Sequence, residues 1–368
     1  MGEAMENTAL VAMSGGVDSS VAAYLTLRAG YVCTGAMMRL YSNEDAGLSA
    51  DSGCCSLADA QDARAVADLL GIPFYVFNFM DDFASQVIDR FMAAYAQGRT
   101  PNPCIGCNRF LKFGRFLRRA EEMNLDHIVT GHYARVAFEP GGGRYLLKKG
   151  VDGEKDQSYV LYAMTQEQLR RTLLPIGELR KDEVRQIAGE LGFQNAKKRE
   201  SQDICFVPDG DYAAFIQRRA GKTYPPGPFV DGAGRTLGEH RGIIRYTVGQ
   251  RRGLGISAPS RLYVRETRPA DNTVVLGGEG ELYTDTLLAK DLNLIAMDRI
   301  DGALKVRAKV RYRQREQDAV AVQVDEDTLR LTFAEPQRAV TPGQAVALYD
   351  GDVVLGGGTI VGTGRTTN

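Results

Sequence analysis

Val11-Ala12-Met13-Ser14-Gly15-Gly16-Val17-Asp18-Ser19-Ser20 is the stretch on which the reading of this chain turns. Residues 9–13 form an apolar run of the length of one buried strand, and Val21, Ala22, Tyr24 and Leu25 follow at helical spacing. The two glycines permit the tight turn between them. A strand, a glycine turn and a helix N-terminus together make an anion site, because backbone N–H groups and the helix dipole point at one place. Hydroxyls of Ser14, Ser19 and Ser20 add donors, and Asp18 is a candidate ligand for Mg2+. No Gly-Lys-Ser/Thr follows, so a lysine at the β/γ-phosphates is not part of this motif. A capped turn alone would account for the glycines, but not for the whole string behind a buried strand.

Working outward, 368 residues suffice for a sizeable core and two or three domains. With 44% hydrophobic and 25% charged residues the composition is that of a globular protein, and no apolar run reaches the roughly 20 residues of a membrane span. The polar start, residues 1–7, has no secretory apolar region. Six cysteines without such a leader point to the reducing cytoplasm, where cysteine is more often catalytic or metal-binding than structural. A net charge of −1 means that any nucleic acid must be met by local basic patches.

The first half alternates strand and helix. Gly30 closes the helix that the glycine turn opens, and 31–38 reads as a second strand. Ser56-Leu57-Ala58-Asp59 has the form of a capping box, for a helix that stops at Gly71. Residues 72–79 read as a strand, 83–95 as a helix and 127–130 as another strand. This pattern predicts an α/β domain with a parallel sheet covered on both faces, its ligands beyond the carboxyl ends of the strands.

Two further stretches carry cysteine. In Gly98-Arg99-Thr100-Pro101-Asn102-Pro103-Cys104-Ile105-Gly106-Cys107-Asn108 the prolines fix a stiff loop, and a helix is expected from Asn108. Phe110, Phe113, Leu117 and Ala120 lie on one side of it, with Arg109, Lys112, Arg115 and Arg119 as a basic stripe. Cys107 would sit near a helix N-terminus and cations, both of which favour thiolate. Cys104-x-x-Cys107 is also half of a zinc site, but no second Cys-x-x-Cys or Cys/His pair completes it. In Lys197-Lys198-Arg199-Glu200-Ser201-Gln202-Asp203-Ile204-Cys205-Phe206-Val207, Cys205 by itself reads as a core thiol. Cys33 reads as core, and Cys54 and Cys55, in a polar loop, as candidates for redox side reactions.

After Val207 the character changes. Residues 208–268 are rich in Gly, Pro and Arg, with Tyr224-Pro225-Pro226-Gly227-Pro228 as a rigid connector and Arg245, Arg251 and Arg252 around Thr247-Val248-Gly249. Beyond 271, short alternating runs separated by turns predict a small antiparallel β-barrel. Arg307, Lys309, Arg311, Arg313 and Arg315 alternate, which predicts one cationic strand face suited to phosphates. The expected domains are 1–207, 208–270 and 271–368.

Ser14–Ser20 resembles the PP-loop of ATP pyrophosphatases, which split ATP between its α- and β-phosphates. Nearly the whole chain resembles the bacterial tRNA-uridine 2-sulfurtransferases, the MnmA family. Beyond the PP-loop the resemblance rests on 100–108, Thr130-Gly131-His132-Tyr133, Lys155-Asp156-Gln157-Ser158-Tyr159, 201–206, Gly249-Gln250-Arg251-Arg252-Gly253-Leu254-Gly255 and Arg311-Tyr312-Arg313. It implies a HUP (adenine-nucleotide α-hydrolase-like) domain, a small tRNA-binding middle domain and a C-terminal antiparallel barrel. It also implies ATP-dependent 2-thiolation of the wobble uridine in tRNA for lysine, glutamate and glutamine, in the cytoplasm. ATP with Mg2+ would lie on Ala12, Met13, Ser14, Gly15, Gly16, Val17, Asp18 and Ser19, with Met38 and Gly131 at the adenosine. The tRNA would meet Asn102, Pro103, Cys104, His132, Lys155, Asp156, Gln157, Arg311, Tyr312 and Gln344. Catalysis would fall to Cys205, carrying a persulfide from a sulfur-relay protein or a cysteine desulfurase, and to Cys107, which forms a transient disulfide with it.

Cys104 departs from that family, whose usual residue there is aspartate. Three thiols, Cys104, Cys107 and Cys205, open a second route in which a 4Fe–4S cluster delivers sulfide. Two other classes share part of the pattern. A PP-loop synthetase forming amide or C–N bonds needs neither Cys107 nor Cys205, and a non-catalytic tRNA-binding protein needs no intact PP-loop.

Overall fold

A computed structural model of the chain describes residues 7–42, 57–198 and 204–364. Cys54, Cys55, Ser56 and residues 199–203 of the third motif fall outside them. The described backbone divides into two units, one of 7–42, 57–87, 104–198, 204–210 and 351–355, the other of 88–103, 211–350 and 356–364.

The first unit is built on β1 (Thr8–Ala12), in which Leu10 and Val11 are fully buried. A strand apolar on both faces belongs at the centre of a covered parallel sheet. The glycine turn leads into α1 (Val17–Arg28), whose buried Ser20, Ala22, Ala23 and Thr26 are small enough to let it close on the sheet. The chain continues through β2 (Val32–Arg39), α2 (Leu57–Leu70), β3 (Phe74–Asn78) and α3 (80–96) to α4 (103–122). After β4 (His127–Val129) come a hairpin, β5 (Ala134–Glu139) and β6 (Arg144–Lys149), then α5 (Gln166–Arg170), β7 (Thr172–Leu173) and α6 (Lys181–Glu190). The sheet order is β3-β2-β1-β4-β7, with every pair parallel. Order reverses at β1, so its carboxyl end is the switch point where such sheets open a crevice. Replacing Leu10 by Ala beneath it would cost about 2–5 kcal/mol.

Helix α4 differs from the expectation. It starts at Pro103 rather than Asn108, because a proline at the first helical position loses no hydrogen bond. Residues Cys107–Arg115 are wound as π-helix, a form that concentrates at functional sites. Phe113, Leu117 and Ala120 are buried as expected, but Phe110 is only half-buried and Leu111 is buried beside it.

The second unit holds α7 (Tyr212–Ala220) and a four-stranded sheet of β8 (Gly227–Val230), β9 (Thr236–His240), β10 (Tyr263–Arg268) and β11 (Thr273–Gly277), in the order β10-β11-β8-β9. The run 273–276, expected in the barrel, is instead strand β11 of this sheet. The short turn Pro269–Asp271, with Asn272 in the left-handed region, folds β11 straight back on β10. The barrel follows as β12 (Tyr283–Leu294), β13 (Ala303–Lys309), β14 (Gln317–Gln323), β15 (Leu329–Arg338), β16 (Ala345–Asp350) and β17 (Val353–Gly364). Pairing of β12 with both β15 and β17 closes it at six strands.

The cationic strand face is not formed as expected. Strand β13 ends at Lys309, where Gln314 accepts a hydrogen bond from Val310 N–H at 3.3 Å, and residues 311–315 form the turn. Arg311 is tied down there, donating to Ala339 O and to Thr341 Oγ1 at 3.3 Å.

Candidate active site

Gly15 has φ +73°, and a Cβ on it would meet the Asp59 carbonyl oxygen at 2.4 Å, so only glycine fits where the turn presses on α2. No side chain caps α1, which leaves its first-turn N–H groups to an anion. Two expected hydroxyl donors are spent within the loop: Ser19 and Ser20 donate to Gly16 O at 2.9 and 3.0 Å. Ser14 is the exposed hydroxyl. Met13 N–H donates to Ala36 O of β2 at 2.9 Å, which keeps half-buried Met38, two residues on, at the same end of the sheet. From the β4 side, Gly131 lies against the turn so closely that a Cβ would fall 2.7 Å from Ser19 N. The residues expected to hold ATP thus stand at the carboxyl ends of β2, β1 and β4.

Asp18 is more heavily engaged than its sequence context suggested. Lys181 Nζ donates to both carboxylate oxygens, at 2.8 and 2.9 Å, and Tyr133 OH donates to Oδ1 at 2.7 Å. Behind the turn, the Gly15 carbonyl accepts from Asn195 Nδ2 at 3.1 Å and Lys198 Nζ at 3.3 Å. Burial works against the Lys198 charge, yet Asp59 and Asp62, each at 2.6 Å, outweigh it and raise its pKa. Lys181, Tyr133, Asn195 and Lys198 had not been assigned to this site. They come from positions between 115 and 183 residues away from their loop partners, which no local pattern links.

Toward the thiols, His132 is buried, with Nδ1 2.7 Å from Thr130 Oγ1 and Nε2 3.4 Å from Lys112 Nζ. An ammonium only donates, so Nε2 is the acceptor and Nδ1 carries the proton. Burial, aided by Lys112, drives the His132 pKa well below its ordinary value, so the ring is neutral. Lys112 also acts on Cys104, in the first turn of α4. That thiol is exposed, yet protein packed around it raises its pKa against the pull of Lys112. Two more of the stripe pair with acids: Arg115 with Asp82 at 3.3 Å and Arg119 with Glu122 at 2.7 Å.

Cys107 is buried on the first π turn, beside buried Asn108, which donates to Val160 O at 3.0 Å. Cys205 is half-buried; its carbonyl accepts from Tyr41 OH at 2.5 Å, and Phe206 packs edge-on against Phe83. None of Cys33, Cys104, Cys107 and Cys205 is in a disulfide, and burial pushes Cys33 up to about 11, the inert core thiol expected. Among the described residues no three of His, Cys, Asp and Glu are placed to share a metal ion. Cys104, Cys107 and Cys205 are therefore not gathered as cluster ligands, and the iron–sulfur route gains no support.

The expected RNA contacts divide. Asp156 is turned inward, accepting from Gly150 N–H, Ser158 N–H and Ser158 Oγ, so its side chain closes the loop. Gln157 Oε1 accepts from Tyr133 N–H, and Lys155 is half-buried. In the second unit Gln344 Nε2 donates to Thr100 O at 2.7 Å, holding the chain two residues before half-buried Asn102 and three before buried Pro103. Tyr312 is exposed in the β13–β14 turn, and Arg251 and Arg261 line a cavity of about 330 Å3.

A glycine turn at the switch point of a five-stranded parallel sheet is the architecture of nucleotide-binding α/β domains. The family model described as tRNA methyl transferase HUP domain matches residues 7–209. Those for the tRNA methyl transferase PRC-barrel domain and the aminomethyltransferase beta-barrel domain match 213–278 and 284–360. A tRNA-specific 2-thiouridylase MnmA of Acetivibrio thermocellus is 51% identical, with 95% of this chain and 98% of the relative covered. One from Clostridioides difficile is 48% identical, with 97% and 98% covered. A solved 4-thiouridine synthetase with RNA and bound ATP is similar at 17% identity, covering 55% of this chain and 45% of its own, with a TM-score of 0.36, too slight a likeness to argue from. The chain belongs to the MnmA family of tRNA-specific 2-thiouridylases, which are tRNA sulfurtransferases. No helix among the described residues is long and apolar enough to cross a membrane.

Proposed function

We propose that this chain uses ATP to exchange the 2-oxygen of the wobble uridine for sulfur in tRNA for lysine, glutamate and glutamine, in the cytoplasm. The observation that carries the reading is the uncapped helix behind the glycine turn, in a chain whose Cys107 and Cys205 are both thiols outside any disulfide. The α1 N-terminus holds the phosphates, and Met38 and Gly131 flank the adenosine. The uridine oxygen attacks the α-phosphorus, pyrophosphate leaves, and the base carries AMP. A persulfide on Cys205, supplied by a sulfur-relay protein or a cysteine desulfurase, adds its terminal sulfur to C2, and AMP departs with the oxygen. Cys107 thiolate then attacks Cys205 Sγ. The persulfide S–S bond breaks with its electron pair on the sulfur bound to the base, and a Cys107–Cys205 disulfide remains for a thiol reductant to reopen.

Mg2+ would neutralise phosphate charge here. Both Asp18 oxygens are held by Lys181, so that carboxylate fits the metal only if Lys181 turns to the phosphates instead. Incubation with ATP, a persulfide donor, a thiol reductant and unmodified tRNA should yield 2-thiouridine by nucleoside mass spectrometry. Its absence, with ATP still bound, would leave the synthetase or the RNA-binding reading.

A further inference from the structure

The loop 150–158 has an inner side. Gly150 N–H, Ser158 N–H and Ser158 Oγ all converge on buried Asp156, at 3.1, 3.1 and 2.8 Å, and close the loop as one rigid turn. Two other side chains of the turn each hold one of the two partners of Asp18. Gln157 clamps the Tyr133 backbone from both directions: Oε1 accepts Tyr133 N–H at 2.9 Å, and Gln157 N–H donates to Tyr133 O at 2.8 Å. Buried Asp152 accepts Lys181 N–H on Oδ2 at 2.9 Å and Glu154 N–H on Oδ1 at 3.1 Å. Val151, Gly153 and Glu154 face solvent on the outer side.

We propose that Gln157 and Asp152 are positioning residues for the ATP loop, which through Tyr133 and Lys181 set the Asp18 carboxylate and so link RNA at the 150–158 turn to ATP use. The RNA half of this rests on the tRNA-thiolation reading; the link to Asp18 does not. Tyr133 is the stiff arm. Its side chain has two main torsions and is buried, so a shift of its clamped backbone carries to the phenol on Asp18. Lys181 is the flexible arm, pinned by Asp152 at its backbone and by both Asp18 oxygens at its ammonium, which lies 5.7 Å from the Tyr133 ring centroid. A ligand that moves the turn must either move both arms or break their hydrogen bonds, and a difference in Asp18 geometry between the two states is what coupling requires.

The test uses the full chain, measuring ATP binding directly without RNA for its Kd, and pyrophosphate release with unmodified tRNA for its KM. Gln157→Leu removes the acceptor for Tyr133 N–H, and Tyr133→Phe removes the donor to Asp18. Each should raise the Kd and the KM of ATP about five- to tenfold, the loss of one hydrogen bond, and slow pyrophosphate release with tRNA. The double variant should be no worse than the poorer single one, because both cut the same arm. Gln157→Glu keeps an acceptor oxygen and should recover KM. If Gln157→Leu does not fold, Tyr133→Phe with Gln157→Glu and Asp152→Ala answers the same question on both arms. An ATP KM within twofold of wild type in Gln157→Leu and Tyr133→Phe, or fully additive losses in their double variant, overturns the proposal. Wild type that makes no 2-thiouridine overturns the thiolation reading instead, and the RNA-free ATP titrations still decide the link to Asp18.

Discussion

At the scale of single residues, His132 is a test of burial in the site. Its pKa is depressed by burial first and Lys112 second, so below the ordinary histidine pKa, near 6.5, the unfolded chain binds a proton that the folded one refuses. Stability from this group is complete above that pH and is lost as acid carries the solution down toward the folded pKa. The slope approaches about 1.4 kcal/mol per pH unit while one proton separates the states. His127 is lowered as well, again by burial first, so wild type sums two such groups. A His132→Gln variant followed by calorimetry from pH 7 to 5 should lose the larger part of the slope; an unchanged slope would assign it to His127. Cys104 gives a second residue-scale prediction. It is exposed and belongs to no trio placed for a metal, so Cys104→Ala should keep thiolation within about tenfold, the share of one modest positioning contact. Cys107→Ala and Cys205→Ala should abolish it. Loss of activity together with bound iron in anaerobic Cys104→Ala would reinstate the cluster.

At the scale of elements, the close approach of the β4 loop to the start of α1 carries a direct prediction. Gly131→Ala would place a Cβ 2.7 Å from backbone atoms of Asp18 and Ser19, which cannot swing aside as a side-chain tip can. ATP affinity should fall at least tenfold, with Tm lower by several degrees, as for overpacking that costs about 1–3 kcal/mol. Unchanged ATP binding would mean that the turn does not need this contact. Here the sequence was informative because buried strands and helix caps are local. The run 9–13, the glycines 15 and 16 and the stop at Gly30 specify strand, turn and helix within two dozen residues. What was not legible has nonlocal causes. The π turns of 107–115 arise where α4 meets its surroundings, and propensity does not encode them. Arg311 reads as one of an alternating row until Gln314 ends the strand. Lys181 reads as an ordinary first-turn residue of α6, since Asp18 lies 163 residues earlier.

At the scale of the whole molecule, a net charge of −1 leaves no general field to draw in a polyanion, so RNA affinity must come from a few local cations. Many arginines are already committed: Arg115, Arg119, Arg135 and Arg171 each pair with an acid in the first unit, and Arg311 is tied into its turn. Arg251 and Arg252 are exposed beside the cavity of the second unit, on the loop where Gly253 and Gly255 take positive φ. If both contact phosphates, each releases about one counterion, and the double variant Arg251→Ala/Arg252→Ala should lower the slope of log K against log salt by roughly two. The loss should be the same for every tRNA sequence, because phosphate contacts orient RNA without reading bases. ATP binding measured without RNA should hold, since the PP-loop is built wholly from residues of the first unit. Filter binding from 50 to 300 mM salt measures the slope directly. An unchanged slope would transfer the RNA contact to other cations, with Lys155→Ala, expected to remove about one unit, as the next variant to measure.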